Sequence, residues 1–122
     1  MSTGLENLKI YQMAKALELR IHAITGKFPF EEKYRSIDQL KRSSASVSNN
    51  LAESYYKNSL KEKLYILRNQ VITESEETRS NILRCAEKGF LDQNSAELIS
   101  ADYVQLRKAV YGYMKFLRDK FN

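Results

Sequence analysis

The sequence predicts an all-α protein: an antiparallel up-down-up-down four-helix bundle that forms a single domain over residues 1–122. Three observations support this prediction. The chain contains only one Pro and four Gly, so few residues interrupt helices. Apolar residues recur at steps of three and four along four segments, which is the spacing of one helix face. The length of 122 residues suits one domain with one core.

The first helix is predicted over about residues 5–25. Thr3 and Glu6 have the spacing of a capping box, which satisfies free N–H groups at a helix start. Gly26 and Pro29 predict the end of this helix, because Gly favours a C-terminal cap and Pro cannot continue a helix. The apolar stripe consists of Ile10, Ala14, Leu17, Ile21, Ile24 and Phe28.

The second helix is predicted over about residues 32–57. Its stripe consists of Ile37, Leu40, Ser44, Val47 and Leu51, followed by Ser54 or Tyr55. The small residues in the middle of this stripe permit a close approach of another helix. Because residues 43–48 are rich in Ser, a weak helix former, this helix should depend on tertiary packing more than on its own propensity.

The third helix is predicted to begin at a capping box formed by Ser59 and Glu62. Its stripe consists of Leu60, Leu64, Leu67, Val71 and Ile82, followed by Cys85 or Ala86. Glu74 and Thr78 occupy stripe positions at which Leu would be expected, which indicates a wet or partner-facing patch. Gly89 predicts a left-handed cap at the end of this helix.

The fourth helix is predicted to follow Asp92, which is placed to cap its first turn. Its stripe is the most regular in the chain. It consists of Ala96, Ile99, Tyr103, Leu106, Val110, Tyr113 and Leu117. Short connections between the four segments require neighbouring helices to run antiparallel.

Composition and charge indicate the compartment and the class of partner. The chain has 20 Lys and Arg against 15 Asp and Glu, a net charge of +5, which favours polyanionic partners. A single cysteine, Cys85, rules out an internal disulfide framework and a Cys-rich zinc site, so we expect a reducing compartment, the cytoplasm. The chain lacks an apolar run of about 18 residues and a secretion signal at residues 1–6, so we expect no membrane span and no export.

Candidate catalytic side chains are few. His22 is the single histidine, so the paired Glu-x-x-His motifs of di-metal bundles are absent from the sequence, and a Ser-His-acid triad would lack a nucleophile turn. Glu74, Glu76 and Glu77 could bind a cation, but helical carboxylates at this spacing usually face solvent. Cys85 sits at a stripe position, where we expect a small hydrophobic role. We therefore expect no enzymatic activity, cofactor, metal or small-molecule substrate.

A second group of residues has the chemistry of a nucleic-acid surface. Cationic and aromatic side chains alternate around the predicted corner between helices two and three, and the candidates for binding are Lys57, Lys61, Lys63, Tyr65 and Arg68. Cations can neutralise phosphates, and tyrosines can stack on unpaired bases. The alternative is that Tyr55 and Tyr65 are buried and that Lys57 forms an i,i+4 ion pair with Glu53. Helix four carries a second basic region, Arg107, Lys108, Lys115, Arg118 and Lys120.

Three stretches carry a family resemblance: residues 27–34 read KFPFEEKY, residues 39–42 read QLKR, and residues 46–53 read SVSNNLAE. In these stretches the chain resembles the four-helix bundle family of 23S rRNA intervening-sequence proteins. The similarity extends to residues 8–14, 59–67 and 89–91, so it covers most of the chain. The chain departs from the family at Ser48, where proline is usual, and this departure leaves open whether helix two is kinked.

The resemblance implies a small bacterial protein that assembles as a homopentameric ring of four-helix subunits and has no enzymatic activity. The family pattern falls on Arg42, Ser46, Asn50, Ala52 and Glu53, and their role is unassigned. Asn50 and Glu53 lie one turn apart and could order the corner leading to Asn58 or could present a polar strip to a neighbouring subunit.

Two functional hypotheses follow. The first is a homo-oligomeric bundle that binds RNA or another polyanion through its basic surface. The second is an oligomeric protein–protein interaction scaffold without a nucleic-acid role, in which the basic residues serve solubility. The chain has eight Tyr and five Phe, more aromatic side chains than one small core can bury, so we expect an oligomer interface to cover some of them.

Overall fold

The structure is a computed structural model that describes residues 4–121. Four helices dominate it: α1 (Lys9–Thr25), α2 (Asp38–Tyr56), α3, and α4 (Gln93–Phe121). Helix α3 runs without a break through Leu60–Ile66, a π-helical segment Leu67–Ile72, and Thr73–Glu87. The described residues contain no strand, so the all-α prediction is confirmed.

The four helices pack in the order α1, α2, α3, α4, and α4 returns to contact α1. Side-chain contacts show that α4 runs antiparallel to α3 and join the other neighbours at single points. Glu76 of α3 contacts Arg107 of α4, and Arg79, one turn later in α3, contacts Ser100, which lies earlier in α4. Thr78 pairs with Ser43 on α2, and Arg20 of α1 pairs with Asp102 of α4. These pairs fit the predicted antiparallel arrangement.

The core lies where the four predicted stripes meet. The largest side chains that are fully buried come from all four helices: Tyr103, Ile21, Leu40, Leu51, Leu67, Ile82, Ile99, Leu106, Met114, Val47, Val71 and Val110. In the fourth stripe the structure differs from the prediction at one position, because Met114 is fully buried while Tyr113 is half-buried and packs against the edge of the core. Both residues satisfy a three-and-four spacing between Val110 and Leu117, so the periodicity alone does not distinguish them.

The first helix is shorter than predicted. Residues Gly4–Asn7 form a separate helical turn, and Leu8 adopts an extended conformation (φ −73°, ψ 117°) before α1 begins. The predicted capping residue Thr3 lies outside the described residues. The second helix is entered through a 3-10 turn at Phe30–Glu32 and a π-helical turn at Lys33–Ile37. It then continues unbroken through Ser48, which is buried.

The predicted caps at Ser59, Asp92 and Gly89 are present, whereas Gly26, at the end of α1, has φ −62° and is not a left-handed cap. The Ser59 hydroxyl accepts a hydrogen bond from the Glu62 N–H at 3.1 Å and donates one to the Glu62 carboxylate at 3.0 Å. Asp92 accepts a hydrogen bond from the Ser95 N–H at 2.6 Å, and this bond holds the pKa of its carboxyl group below the ordinary value. Gly89 has φ +84° and ends α3 as a left-handed cap.

A pair of glycine substitutions tests the left-handed cap. Gly89→Ala should lower the free energy of unfolding by about 1 kcal/mol, because an L side chain disfavours positive φ. Gly112→Ala is the matched control, since Gly112 lies inside α4 with open space around its Cβ position. It should instead raise stability by up to about 1 kcal/mol. Urea unfolding of both variants measures the difference, and equal effects would contradict the assignment.

Among residues 4–121, no helix combines the length and apolar character needed to cross a lipid bilayer.

Candidate nucleic-acid interface

The basic residues are unevenly distributed along the bundle axis. The contacts between helices show which residues lie at the same level along the bundle axis, and a plane at one such level divides the described chain into two halves. The basic half comprises residues 4–15, 48–73 and 107–121, and the opposite half comprises residues 16–47 and 74–106. The basic half contains eleven Lys and Arg against four Asp and Glu, whereas the opposite half contains nine against eleven. The whole positive excess of the described chain therefore belongs to one half.

Three of the predicted nucleic-acid residues form one exposed face of α3. Lys61, Tyr65 and Arg68 follow one another at steps of four and three, and all three are exposed. The Tyr65 side chain is 61% exposed, so the alternative that it is buried is wrong. This face presents an aromatic ring between two cations.

The other two predicted residues are engaged within the protein. The Lys63 ammonium donates hydrogen bonds to the carbonyl oxygens of Ser54 (3.3 Å) and Tyr55 (2.8 Å). It thereby caps the end of α2, where the Ser54 carbonyl also accepts a hydrogen bond from the Lys57 N–H at 3.3 Å. Lys57 lies 3.7 Å from the Glu53 carboxylate, which is the i,i+4 ion pair expected from the spacing. Both side chains contribute positive charge, but their positions are set by these partners.

The two basic regions recognised in the sequence meet at this end of the bundle. Burial lowers the pKa of Lys63, and the nearby positive charge of Lys120 on α4 lowers it further. The end of α4 therefore adds its cations to those of the α2–α3 corner. Lys115 forms an ion pair with Asp119 at 3.3 Å, whereas Arg118 and Lys120 form no ion pair with any of residues 4–121.

The family-motif residues lie mainly along one face of α2. The Arg42 guanidinium pairs with the Asp38 carboxylate one turn earlier at 2.7 Å. The Asn50 amide donates hydrogen bonds to the backbone carbonyl and to the hydroxyl of Ser46, both at 2.9 Å. The remaining motif residues are Ala52, which is half-buried, and Glu53, which pairs with Lys57. These contacts all stay within α2 and its C-terminal boundary.

A polar groove of about 910 Å³ separates the first half of α2 from the second half of α3. Arg42, Ser43 and Ser46 line it from α2, and Glu74, Glu77, Ser80, Asn81 and Arg84 line it from α3; Tyr34, Asp38 and Gln39 complete it. The sequence predicted a polar patch here from Glu74 and Thr78, which interrupt the apolar stripe of the third helix. Of these, Glu74 lines the groove, whereas Thr78 is fully buried and bonds Ser43 at 2.7 Å.

Glu74 has a raised pKa in this groove, because burial disfavours its charged form and the neighbouring Glu77 repels it. A carboxyl group whose pKa is higher in the folded than in the unfolded protein stabilises the fold below its unfolded pKa of 4.5. This stabilisation is lost as the pH rises through the pKa of the group in the folded protein. Glu74→Gln cannot ionise and should therefore be more stable than wild type at pH 7, with a smaller difference at pH 4. Thermal unfolding at both pH values measures this, and a less stable variant at pH 7 would contradict it.

The candidate catalytic side chains do not converge. His22 is exposed on α1, whereas Cys85 is fully buried in the core from α3. Burial raises the pKa of the Cys85 thiol, so the thiolate that would act as a nucleophile is disfavoured. Cys85 therefore serves as a small hydrophobic residue, as the sequence indicates.

The sequence profile of the 23S rRNA-intervening sequence protein family matches residues 6–112. The matched region covers all of α2 and α3, the groove and the basic corner between these helices. The chain belongs to this family. The family description states a genetic location and names no catalytic activity.

A solved structure supports the fold of this family member. The chain is similar to a protein of unknown function from the S23 ribosomal protein family of Bacteroides thetaiotaomicron VPI-5482, with a TM-score of 0.77 and 18% sequence identity. The alignment covers 87% of this chain and 98% of the Bacteroides chain. No curated protein matches the chain. The resemblance recognised from three short stretches of sequence is confirmed.

Proposed function

We propose that this protein is a non-enzymatic homo-oligomer that binds RNA or another polyanion through its basic half. The uneven charge along the bundle is the observation that supports this proposal, since one half holds eleven cationic against four anionic side chains. A surface of this kind attracts phosphates and releases the counterions that surround them. Family membership supports the connection to ribosomal RNA only through the location of the genes.

Within the basic half, Lys61 and Arg68 are the direct phosphate contacts of this proposal. Both are exposed on the same face of α3, and neither side chain forms an ion pair with another described residue. Lys57 and Lys63 attract phosphates electrostatically without contacting them, because their ammonium groups already have partners within the protein. In a closed ring, each subunit would repeat this face and so multiply the field at the assembly surface.

Salt titration tests the polyanion proposal. Affinity for a fluorescent structured RNA should fall at least about tenfold between about 50 and 200 mM KCl, because each neutralised phosphate releases counterions. Fluorescence anisotropy measures the dissociation constant at each concentration. Binding that does not change with salt, or no binding at the lowest salt, would reject the proposal.

Sedimentation velocity tests the oligomeric part of the proposal separately. The chain of 14.2 kDa should sediment as a homo-oligomer, and the resemblance predicts a pentamer. A species with the mass of one chain across the micromolar range would contradict it. Because this measurement contains no RNA, it is independent of the binding result.

The α2–α3 groove favours a second candidate function, a scaffold that docks a protein partner. The groove contains the ion pair of Arg42 with Asp38, the carboxyl groups of Glu74 and Glu77, and Arg84. Charged groups of both signs can pair with complementary charges on the surface of a protein partner. Affinity capture from the native cell, with and without nuclease, separates the two functions. A partner retained after nuclease treatment supports the scaffold, and its loss supports RNA.

A further inference from the structure

Exposed aromatic side chains are concentrated in the same half as the positive charge. Among the described residues, Tyr56, Tyr65, Tyr111, Phe116 and Phe121 are large, exposed aromatic residues of the basic half, each 47–63% exposed. The opposite half exposes two, Phe30 and Tyr34. Covering an exposed apolar ring with a ligand is favourable, and the basic half offers five such rings.

Cations lie beside these rings. The Lys120 ammonium is 5.8 Å from the ring centres of both Phe116 and Phe121. Phe116 also packs against Tyr113 in a nearly parallel arrangement, with ring centres 6.2 Å apart and an interplanar angle of 21°. Phe116 is 55% exposed beside these two neighbours, so part of its ring remains accessible to a planar ligand. A base that stacks there would place its phosphate near Lys120.

The face of α3 repeats this chemistry. Tyr65 is 61% exposed, and Lys61 and Arg68 lie one turn to either side of it on the same face. Side-chain pairs between α3 and α4, such as Glu76 with Arg107, show that Tyr65 is level with the last two turns of α4. Both aromatic platforms therefore lie at one end of the bundle.

We propose that the basic half binds single-stranded nucleic acid, with unpaired bases stacked on Tyr65 and Phe116 and phosphates held by Lys61, Arg68 and Lys120. This inference rests on the proposed polyanion function and adds that the nucleic acid is single-stranded. Flat, exposed rings beside cations match the two chemical components of an unpaired nucleotide, its base and its phosphate. Bases inside a duplex are stacked on each other and cannot reach these rings.

Single strands and duplexes differ in charge density, and this difference separates recognition by stacking from recognition by charge alone. A duplex carries more charge per unit length than a single strand, so a surface that recognises charge alone binds the duplex more tightly. A surface that gains from stacking reverses this order. Preference for the single strand therefore reports on the rings, and salt dependence reports on the cations.

The experiment compares an RNA strand of about twelve nucleotides, within the range of site sizes for single-strand binders, with the duplex that it forms with its complement. Wild-type protein should bind the single strand more tightly. Tyr65→Ala with Phe116→Ala should weaken single-strand binding by about tenfold or more, because stacking on each ring contributes. Duplex binding by the same variant should change less than about twofold. Tyr65→Phe keeps the ring and should retain wild-type affinity.

Phe30→Ala with Tyr34→Ala is the matched control, since it removes two exposed rings from the opposite half. This variant should bind the single strand as wild type does. Equal or tighter binding of the duplex by wild type, or an equal loss in the two double variants, would overturn the inference of stacking while the polyanion function stands. Failure of wild type to bind either RNA would overturn both. Thermal unfolding of each variant checks that the bundle remains folded.

Discussion

Reversing two charges on the exposed face of α3 should abolish most of the affinity for RNA. Lys61→Glu with Arg68→Glu lowers the net charge of the chain from +5 to +1 and places two carboxylates where phosphates would bind. We expect the dissociation constant to rise at least about tenfold near 100 mM salt. The slope of log affinity against log salt should fall by about one for each phosphate that the variant no longer neutralises. Anisotropy with the same RNA at several KCl concentrations measures both quantities.

The matched control makes the same change in net charge on the opposite half. Lys41 and Lys88 are exposed there, and Lys41→Glu with Lys88→Glu also lowers the net charge to +1. If affinity depends on where the charges lie, this control should lose much less affinity than the α3 variant. Equal losses would show that only the overall charge matters, and the assignment of the interface to the basic half would then be wrong.

Removing one buried leucine should destabilise the protein more than any surface change considered above. Leu106 lies in α4 with none of its surface exposed. Leu106→Ala should cost about 3 kcal/mol, because it removes buried apolar surface and leaves a cavity that the neighbouring helices fill only in part. Chemical denaturation followed by circular dichroism at 222 nm measures this loss.

Leu98→Ala is the control for this prediction. Leu98 lies on the same helix two turns earlier and is 56% exposed, so its truncation should change the free energy of unfolding by less than about 0.5 kcal/mol. Comparable losses at the two positions would show that α4 does not present Leu106 to a packed core. The result would contradict the four-helix arrangement itself.

The polar groove shows how part of a site could be anticipated from an interrupted pattern. Glu74 and Thr78 break the apolar stripe of α3, and this break predicts a polar patch. The structure separates the two residues: Glu74 lines the groove, while Thr78 turns inward to bond Ser43 across the interface with α2. The contributions of Tyr34 and Gln39 had no sequence signal, because a residue enters a groove through the packing of its helix against another.

The candidate interface could be predicted in composition but not in geometry. The alternation of Lys and Tyr along the chain is enough to identify the corner between α2 and α3. The sequence does not distinguish Lys61, which is exposed, from Lys63, whose ammonium caps the end of α2. That difference depends on which direction each side chain takes from the helix and on which carbonyl groups lie there.

The sequence by itself determined the class of fold, the four helical segments and the caps at Ser59, Gly89 and Asp92. These features are local: the apolar spacing and the capping residues act within a few residues along the chain. Only the tertiary structure decided that Met114 rather than Tyr113 fills the core and that Lys120 approaches Lys63. It also decided that the positive charge and most of the exposed aromatic rings share one half of the bundle. Such features depend on the antiparallel register, which brings together residues far apart in the chain.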